Sequence, residues 1–390
     1  MQQIIISLTS YPARINNLIQ TIESLFRQKR QADEIVLWLS ILEFPNKYND
    51  LPKDLLCLIG KNGFHIEWVT ENIKSHKKYY YALQNSRNIV ITADDDMYYS
   101  DTMVSTLMDS YSKHPNAISA RRVRLITKED GKLSLYHKWE GEVVEYIGVE
   151  RMDLCAIGVS GVLYPPGCSK EKWFDIPAII RYAHNQDDLW LKFNEIVDQI
   201  PVVYTGMDGM DCVIEGSQSC GLCVQNVDLG DNDISVNMMS EHLNKEYPAI
   251  YSQWYDGLMQ TDEMIIAKRQ YYTLQVAAMV EQKGERDIYI CGAGKYAHII
   301  YEFIKSCGQE KYIKAFLVTQ KKVDKNENEI KIKKIQELDV QESFSVLCGV
   351  GKTYRQELKD ALVPYKFHEW IDIDIYGIER LLQLESKMIK

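Results

Sequence analysis

A rhythm that occurs twice restricts this chain more than any other feature. Between Gln2 and about Thr92, short β-branched runs alternate with amphipathic stretches, the mark of βαβ units whose strands lie parallel in one sheet packed against helices. Ile4-Ile5-Ile6 forms the first strand. After Pro12, the apolar residues Ile15, Leu18, Ile19, Ile22, Leu25 and Phe26 recur at helical spacing and predict a helix with one face on the sheet. Further strands are read at 34–39, 65–69 and 88–92, with a helix over about 77–84 between the last two. Met103, Val104, Leu107, Met108 and Tyr111 mark another helix, after which an irregular, strand-rich stretch through Tyr164 points to a mixed sheet. A helix-rich stretch runs from about 240 to 282, and near Gly284 the rhythm reopens with a strand at 287–291. At 390 residues the chain exceeds what one core usually serves. The expected fold is α/β: a mixed, mostly parallel sheet flanked by helices over 1–240, a helical linker over 241–284, and a second, smaller α/β domain over 285–390.

Charge bounds the partners. A formal net charge of −10 leaves no surplus of Lys and Arg to displace phosphate counterions, so nucleic acid is not an expected partner, although a local basic spot can still hold a diphosphate. Hydrophobic residues at 46% and charged residues at 26% are ordinary globular usage, which argues against disorder and fibres. The chain has no run of about 18 apolar residues, and its first residues lack the charged head and cleavage site of a signal peptide. Both facts read as a cytoplasmic protein. Nine scattered cysteines, an odd number, read as reduced thiols and not as a disulfide framework.

Asp94, Asp95 and Asp96 follow the strand at 88–92 directly and precede the polar turn Met97-Tyr98-Tyr99-Ser100. Three adjacent carboxylates repel each other, and folding them together requires compensation by a cation or by a dedicated set of donors. A hard divalent ion with oxygen ligands provides this well. Ligands of open α/β sheets gather at the carboxyl ends of the strands, where this cluster lies, so a metal–diphosphate site is one reading. The other is an ordinary Asp-rich turn or a helix N-cap.

Several segments, in order, resemble the family-2-like glycosyltransferases of the GT-A fold, particularly bacterial polysaccharide enzymes. They are Ile5-Ile6-Ser7-Leu8-Thr9-Ser10-Tyr11-Pro12-Ala13-Arg14-Ile15, Ser75-His76-Lys77-Lys78, Thr92-Ala93-Asp94-Asp95-Asp96, Gly158 to Gly167, and Asn185-Gln186-Asp187-Asp188-Leu189-Trp190. Together they span roughly 1–240. By this resemblance Asp94 and Asp96 match the outer members of the DxD motif, which holds Mn²⁺ or Mg²⁺ with the donor's ribose and diphosphate, and Asp95 stands between them as a donor contact. Thr9, Ser10 and Tyr11 match the loop that borders the nucleotide base. Many relatives carry an acid at the end of the second strand to read uracil, whereas this chain has Trp38-Leu39-Ser40, which leaves the base open. Lys78, with Lys77, lies where a cation can approach the diphosphate; both also read as a solvated helix start beside Lys74. The implied partners are a nucleotide-sugar donor and a carbohydrate or lipid-linked carbohydrate acceptor, and the latter would bring the protein to the inner membrane face as a peripheral protein.

Asp187 and Asp188 precede the stripe Leu189, Trp190, Phe193, Ile196 and Val197, so both fall in the first turn of a helix, where a carboxylate is favoured by unpaired N–H groups and the helix dipole. The resemblance also matches the pair to an acidic motif in which one member is the catalytic base. Inverting transfer needs a carboxylate to take the acceptor hydroxyl's proton while a metal steadies the leaving diphosphate. On that chemistry Asp188 is the expected base and Asp187 its neighbour or a contact to the acceptor.

Other signals are weaker. Cys220 and Cys223, near Cys212, have the spacing of half a zinc knuckle but no second pair, and zinc is not expected. His242 reads as polar surface, or as the further metal ligand that GT-A enzymes sometimes carry. Gly351-Lys352-Thr353 imitates the end of a P-loop, but Val346 stands where its first Gly is required. Cys291-Gly292-Ala293-Gly294-Lys295-Tyr296-Ala297 follows a strand and opens a helix, the context of a Rossmann fingerprint, yet the next strand ends in Thr319-Gln320 without the acid that binds an NAD ribose. This domain resembles Rossmann-like domains that either bind a nucleotide or sugar or serve only for packing and homodimer formation. A nucleotide-dependent oxidoreductase and a non-catalytic carbohydrate-binding assembly protein stand as the alternative functions.

Overall fold

The computed structural model describes residues 2–84, 86–141, 143–209, 211–215, 230–284, 286–319, 330–339, 341, 343–350, 352–365 and 367–388. The chain divides into two compact units, Met1–Thr261 and Asp262–Lys390.

The first unit is built on an eight-stranded sheet. Its strands are β1 Ile4–Thr9, β2 Glu34–Ser40, β3 Phe64–Val69, β4 Ile89–Thr92, β5 Ile118–Ala120, β6 Glu150–Arg151, β7 Val162–Tyr164 and β8 Val202–Tyr204. They lie in the order β6-β8-β5-β7-β4-β1-β2-β3. β1 runs parallel to β2 and β4, β2 to β3, and β8 to β5, whereas β7 opposes both β4 and β5, and β6 opposes β8. The mixed, mostly parallel sheet expected from sequence is therefore present. Six strands point the same way, which brings the ends of β1, β2, β4, β5 and β8 to one edge.

Strands covered on both faces need apolar residues at nearly every position. β4, with all four residues buried, meets that demand, and Ile6, Leu8, Leu37, Leu39 and Ile91 join one core. Helix α1, Leu18–Phe26, adds Leu18, Ile22 and Leu25 to it. The predicted helix starts earlier, because Ile15 shares its apolar period. Ile15 is indeed buried, but it sits in a turn wound onto the Tyr11 carbonyl by the Arg14 and Ile15 N–H groups, so the helix begins three residues later. Three more helices matter for the site: α2 Lys77–Leu83, α3 Met103–Lys113 and α4 Asp187–Asp198. After β8, Cys212–Val213 pairs antiparallel with Met97–Tyr98, and the Ile214 N–H donates to the Asp96 carbonyl at 2.9 Å. The turn that carries the acid cluster is thus held from both sides.

The second unit contains the helix Thr261–Gln282, apart from its first residue, and a five-stranded parallel sheet. Its strands, β9 Asp287–Cys291, β10 Ile313–Val318, β11 Ile332–Lys334, β12 Phe344–Cys348 and β13 Phe367–Ile371, are ordered β11-β10-β9-β12-β13. Tyr289, Leu317, Phe344 and Val346 form its core, and Tyr272 of the helix donates to Asp374 at 2.6 Å. Gly292 has a φ of +94°, and a Cβ there would meet Val350 at 2.6 Å, so only glycine permits the loops after β9 and β12 to approach this closely. Residue 320, predicted to lack the ribose acid, lies outside the described residues. Among those residues, no helix is long and apolar enough to cross a membrane.

Candidate active site

The acid cluster sits at the carboxyl end of β4. In the register Ser7 is level with Thr92, and the Ala93 N–H donates to the Ser7 carbonyl, so Asp94 is the second residue past the last paired position. The β1 exit loop folds over it. Ser10 donates its hydroxyl to Asp95 Oδ2 at 2.5 Å, Thr21 donates to the Asp95 carbonyl at 3.0 Å, and the buried Tyr99 hydroxyl receives the Asp94 N–H at 2.7 Å. The hydroxyl of Thr9 turns aside to the Trp38 carbonyl at 2.8 Å. Tyr11 packs its ring near the Arg14 guanidinium, 5.7 Å from ring centroid to Cζ.

Sequence reasoning missed Arg14. Its Nη1 lies 2.9 Å from Asp95 Oδ1 and 3.0 Å from Asp96 Oδ2. The only signal was a single basic residue inside the quoted β1 loop, four positions past Ser10. The three carboxylates are not equivalent. Asp95 and Asp96 have side chains 7% and 9% exposed against 28% for Asp94, which therefore presents the most open oxygen. Burial, reinforced by the Asp94 charge and only partly countered by Arg14, pushes Asp96 up to about 6. Burial likewise raises Asp95, against its bonds from Ser10 and Arg14.

The solvated-helix reading of Lys77 and Lys78 is overturned, since only 1% and 4% of these residues is exposed. Lys77 Nζ pairs with Glu43 Oε2 at 2.5 Å. Lys78 Nζ lies 2.6 Å from Asp94 Oδ1 and 2.8 Å from Asp187 Oδ2, bringing the two acidic segments of the sequence to one ammonium. Burial pulls the pKa of Lys78 down, but Asp187, Asp94 and Asp188 together hold it well above the usual lysine range. His76 is fully buried and neutral, pushed to about 4 by burial. Its Nε2 donates to the Ala183 carbonyl at 2.7 Å, and its Nδ1 receives the Tyr79 hydroxyl at 2.9 Å.

Asp187 and Asp188 open α4, but neither side chain caps it. The N-cap is Gln186, without a side-chain bond, and only the general preference for negative charge at a helix start applies. Asp188 Oδ1 instead accepts the Gly158 N–H at 3.1 Å. Burial raises the Asp188 carboxyl to about 8, with neighbouring Asp187 adding to the rise and Lys78 opposing it. For Asp187 burial acts upward as well, yet the Lys78 ammonium beside it prevails and its pKa is lowered. Two adjacent acids are thereby separated in proton affinity. One is held as a carboxylate, and the other gains and loses a proton near neutrality, which suits general acid–base work.

Two cavities open in this unit, neither lined by the acids themselves. One, of about 580 Å³, opens at the ends of β1 and β2 between Pro12, Asn16, Glu43, Phe44 and Asp50, a size within the usual range for ligand pockets. The other, of about 570 Å³, lies at the far end of α4 beside Arg151, Gln199 and Trp254, remote from the acids. Among the described residues no group of three His, Cys, Asp or Glu side chains is arranged to hold a metal. His242 is stacked on Tyr182 with centroids 4.8 Å apart, Cys212 is an exposed free thiol, and Cys220 and Cys223 lie outside the described residues.

No family model matches the chain, and no curated protein matches it. Among solved structures it is similar to S. aureus TarS, at 11% identity and a TM-score of 0.34, over 70% of this chain and 43% of that one. It thus spans less than half the length of that protein. A mannosyltransferase, PcManGT from Pyrobaculum calidifontis in complex with GDP-Man and Mn²⁺, is similar at 9% identity and a TM-score of 0.36, over 80% of this chain and 84% of that one. S. aureus TarS 1–349 is similar at 12% identity and a TM-score of 0.30, over 69% of this chain and 79% of that one.

Proposed function

We propose that the first unit is a GT-A-type glycosyltransferase that moves a sugar, with inversion, from a nucleotide-diphosphate sugar to a glycan or lipid-linked glycan, in the assembly of a surface polysaccharide. One observation carries this reading. Lys78 draws the acid cluster after β4 and the acid pair of α4 into a single site, and within that site Asp188 alone is pushed to about 8. A donor-binding end and a proton-accepting end within reach of one ammonium are what a displacement at an anomeric carbon requires.

The residues present fit a divalent cation. Asp94, Asp95, Asp96 and Asp187 outnumber the two cations, Lys78 and Arg14, that contact them, Asp188 stands beside them, and a diphosphate would add negative charge. Asp94 and Asp96 offer hard oxygens, and Mg²⁺ commonly takes only one or two protein carboxylates with phosphate and water completing its shell. When bound, Mn²⁺ or Mg²⁺ supplies Lewis-acid stabilisation of the leaving diphosphate. The chain's own residues do the rest. Ser10 and Arg14 hold Asp95, and Arg14 also holds Asp96. The cavity between Asn16 and Glu43 takes the nucleoside. The Gly158 N–H fixes one oxygen of Asp188, whose carboxylate removes the acceptor hydroxyl's proton as the hydroxyl oxygen bonds to the anomeric carbon and the nucleoside diphosphate departs.

The test is a screen of nucleotide-sugars for Mn²⁺-dependent thermal stabilisation, followed by donor hydrolysis and transfer assays. A ligand at about 100 times its dissociation constant adds roughly 2.7 kcal/mol to the stability of the folded state. A chain that neither binds nor turns over any donor sinks the proposal. Binding without turnover would leave the assembly-protein alternative.

A further inference from the structure

We propose that Lys78 is a positioning residue that couples the donor end of the site to its carboxylate pair by sharing one ammonium between Asp94 and Asp187. The sharing rests on geometry, and its catalytic consequence rests on the glycosyltransferase reading above. The side chain is 5% exposed, with Nζ 2.6 Å from Asp94 Oδ1 and 2.8 Å from Asp187 Oδ2. Those carboxylates belong to different elements, the turn after β4 and the first turn of α4, and this lysine bridges them.

The backbone that carries the ammonium is itself fixed. Ser7 of β1 donates its hydroxyl to the Lys78 carbonyl, and the Trp38 indole of β2 donates to the same Ser7 oxygen at 2.9 Å. The far end is confined too, because a Cβ on Gly158 would stand 2.8 Å from Nζ and 3.1 Å from Asp188 Oδ1. The ammonium is thus limited to the space between its partners. Were a donor diphosphate, with the divalent cation that Asp94 would hold, to draw on that carboxylate, Asp94 would give up its share and the ammonium would settle on Asp187. Asp188 is the next residue on the same helical turn and moves with it. The group that receives the acceptor's proton is therefore set in place by arrival of the donor.

A replacement of Lys78 alone leaves buried acids without their counter-ion, which is costly, whereas removing both partners of a buried pair is often nearly neutral. The experiment therefore compares Lys78→Met, Asp187→Asn, the double variant and Lys78→Arg in the full chain. Its first arm is melting temperature without substrate, with the double variant expected to melt above Lys78→Met. A double variant no more stable than Lys78→Met overturns the sharing, whatever the protein's activity.

The second arm is kinetic. In the double variant, Mn²⁺-dependent affinity for a nucleoside diphosphate, UDP and GDP being the probes, should stay within a few-fold of wild type while kcat falls by about 100-fold or more. Lys78→Arg should recover part of that loss. A variant that loses nucleoside-diphosphate affinity but keeps kcat makes Lys78 a simple diphosphate contact and overturns the coupling. If wild type turns over no donor at all, the glycosyltransferase reading fails, and the melting arm still decides the sharing.

Discussion

Gly158→Ala is the smallest change that tests the site. Gly158 does not adopt a left-handed φ, so alanine brings no backbone strain there, and the atoms nearest its added methyl belong to Lys78 and Asp188. The methyl carbon would stand 2.8 Å from Lys78 Nζ, where ordinary contact begins at 3.4 Å, so the ammonium has to retreat by roughly 0.6 Å. Asp188 Oδ1, at 3.1 Å from the same point, is pressed as well. The atom that must yield most is the tip of a flexible side chain and not backbone, which places the stability cost near the low end of overpacking, about 1 kcal/mol. That corresponds to a fall of about 2–4 °C in melting temperature for a domain of this size. The rate is more sensitive, since misplacing catalytic groups by around an ångström costs about 10²-fold. Initial rates at saturating donor and acceptor, read beside melting temperature, should show a loss of tens to a hundred-fold with a nearly unchanged melt. A rate within twofold of wild type would refute the reasoning, because Lys78 and Asp188 would then tolerate displacement. A large fall in melting temperature with a normal rate would refute it equally.

Asp188→Asn should retain Mn²⁺-dependent donor affinity and lose about 10² to 10⁴ in transfer rate; a normal rate would move the base to Asp187. Asp96→Ala should abolish transfer and the Mn²⁺ dependence of donor binding, checked by calorimetry with and without the ion. Asp188 sits at about 8 in the free site, facing Asp187, Lys78 and Asp94 as charges and Cys155, Tyr136 and Tyr164 as neutral groups, so kcat/KM should rise with pH through about 8. Replacing Asp187 by Asn removes a charge that raises this carboxyl, and the rising limb should move to lower pH. The same raised value means that Asp188 favours the folded state most below its unfolded pKa of about 3.9, a contribution lost as pH rises through about 8. The melting temperature of wild type should therefore fall between pH 5 and 9 more than that of Asp188→Asn.

Much of the frame was legible because period and strand ends are local properties. The strands at Ile4–Thr9, Glu34–Ser40, Phe64–Val69 and Ile89–Thr92 announce themselves by β-branched runs, and α4 by the stripe from Leu189 to Ile196. Asp94 to Asp96 and Asp187–Asp188 stood out as charge concentrations, and position at a strand's carboxyl end or a helix start gave each a role. What sequence could not give was the pairing between them. Lys78 and Asp187 are 109 positions apart, and on composition a lysine after a polar turn reads as surface. Burial reversed that reading, and burial is a property of the whole sheet. Arg14 was opaque for the same reason: its two aspartates lie in the turn after β4, brought near by a parallel register that joins β1 to β4 and not to its sequence neighbour alone.

The electrostatics also explain why these charges are retained in a buried place. Desolvation acts against the ionised form of Asp95, Asp96, Asp187, Asp188 and Lys78 alike, so burying them opposes folding unless each finds a partner. Arg14 and Lys78 supply partners for Asp94, Asp95, Asp96 and Asp187, whereas among the described residues Asp188 has one backbone N–H and a raised affinity for protons. A core assembled for stability alone would pair this carboxyl or replace it by an apolar residue, since an apolar substitute is often neutral or better. The arrangement makes sense as preorganisation. The low-dielectric surroundings that burden the resting state strengthen each interaction with a charge arriving on the donor, and the unpaired carboxyl is held ready, by its neighbours and not by its own chemistry, to take up a proton.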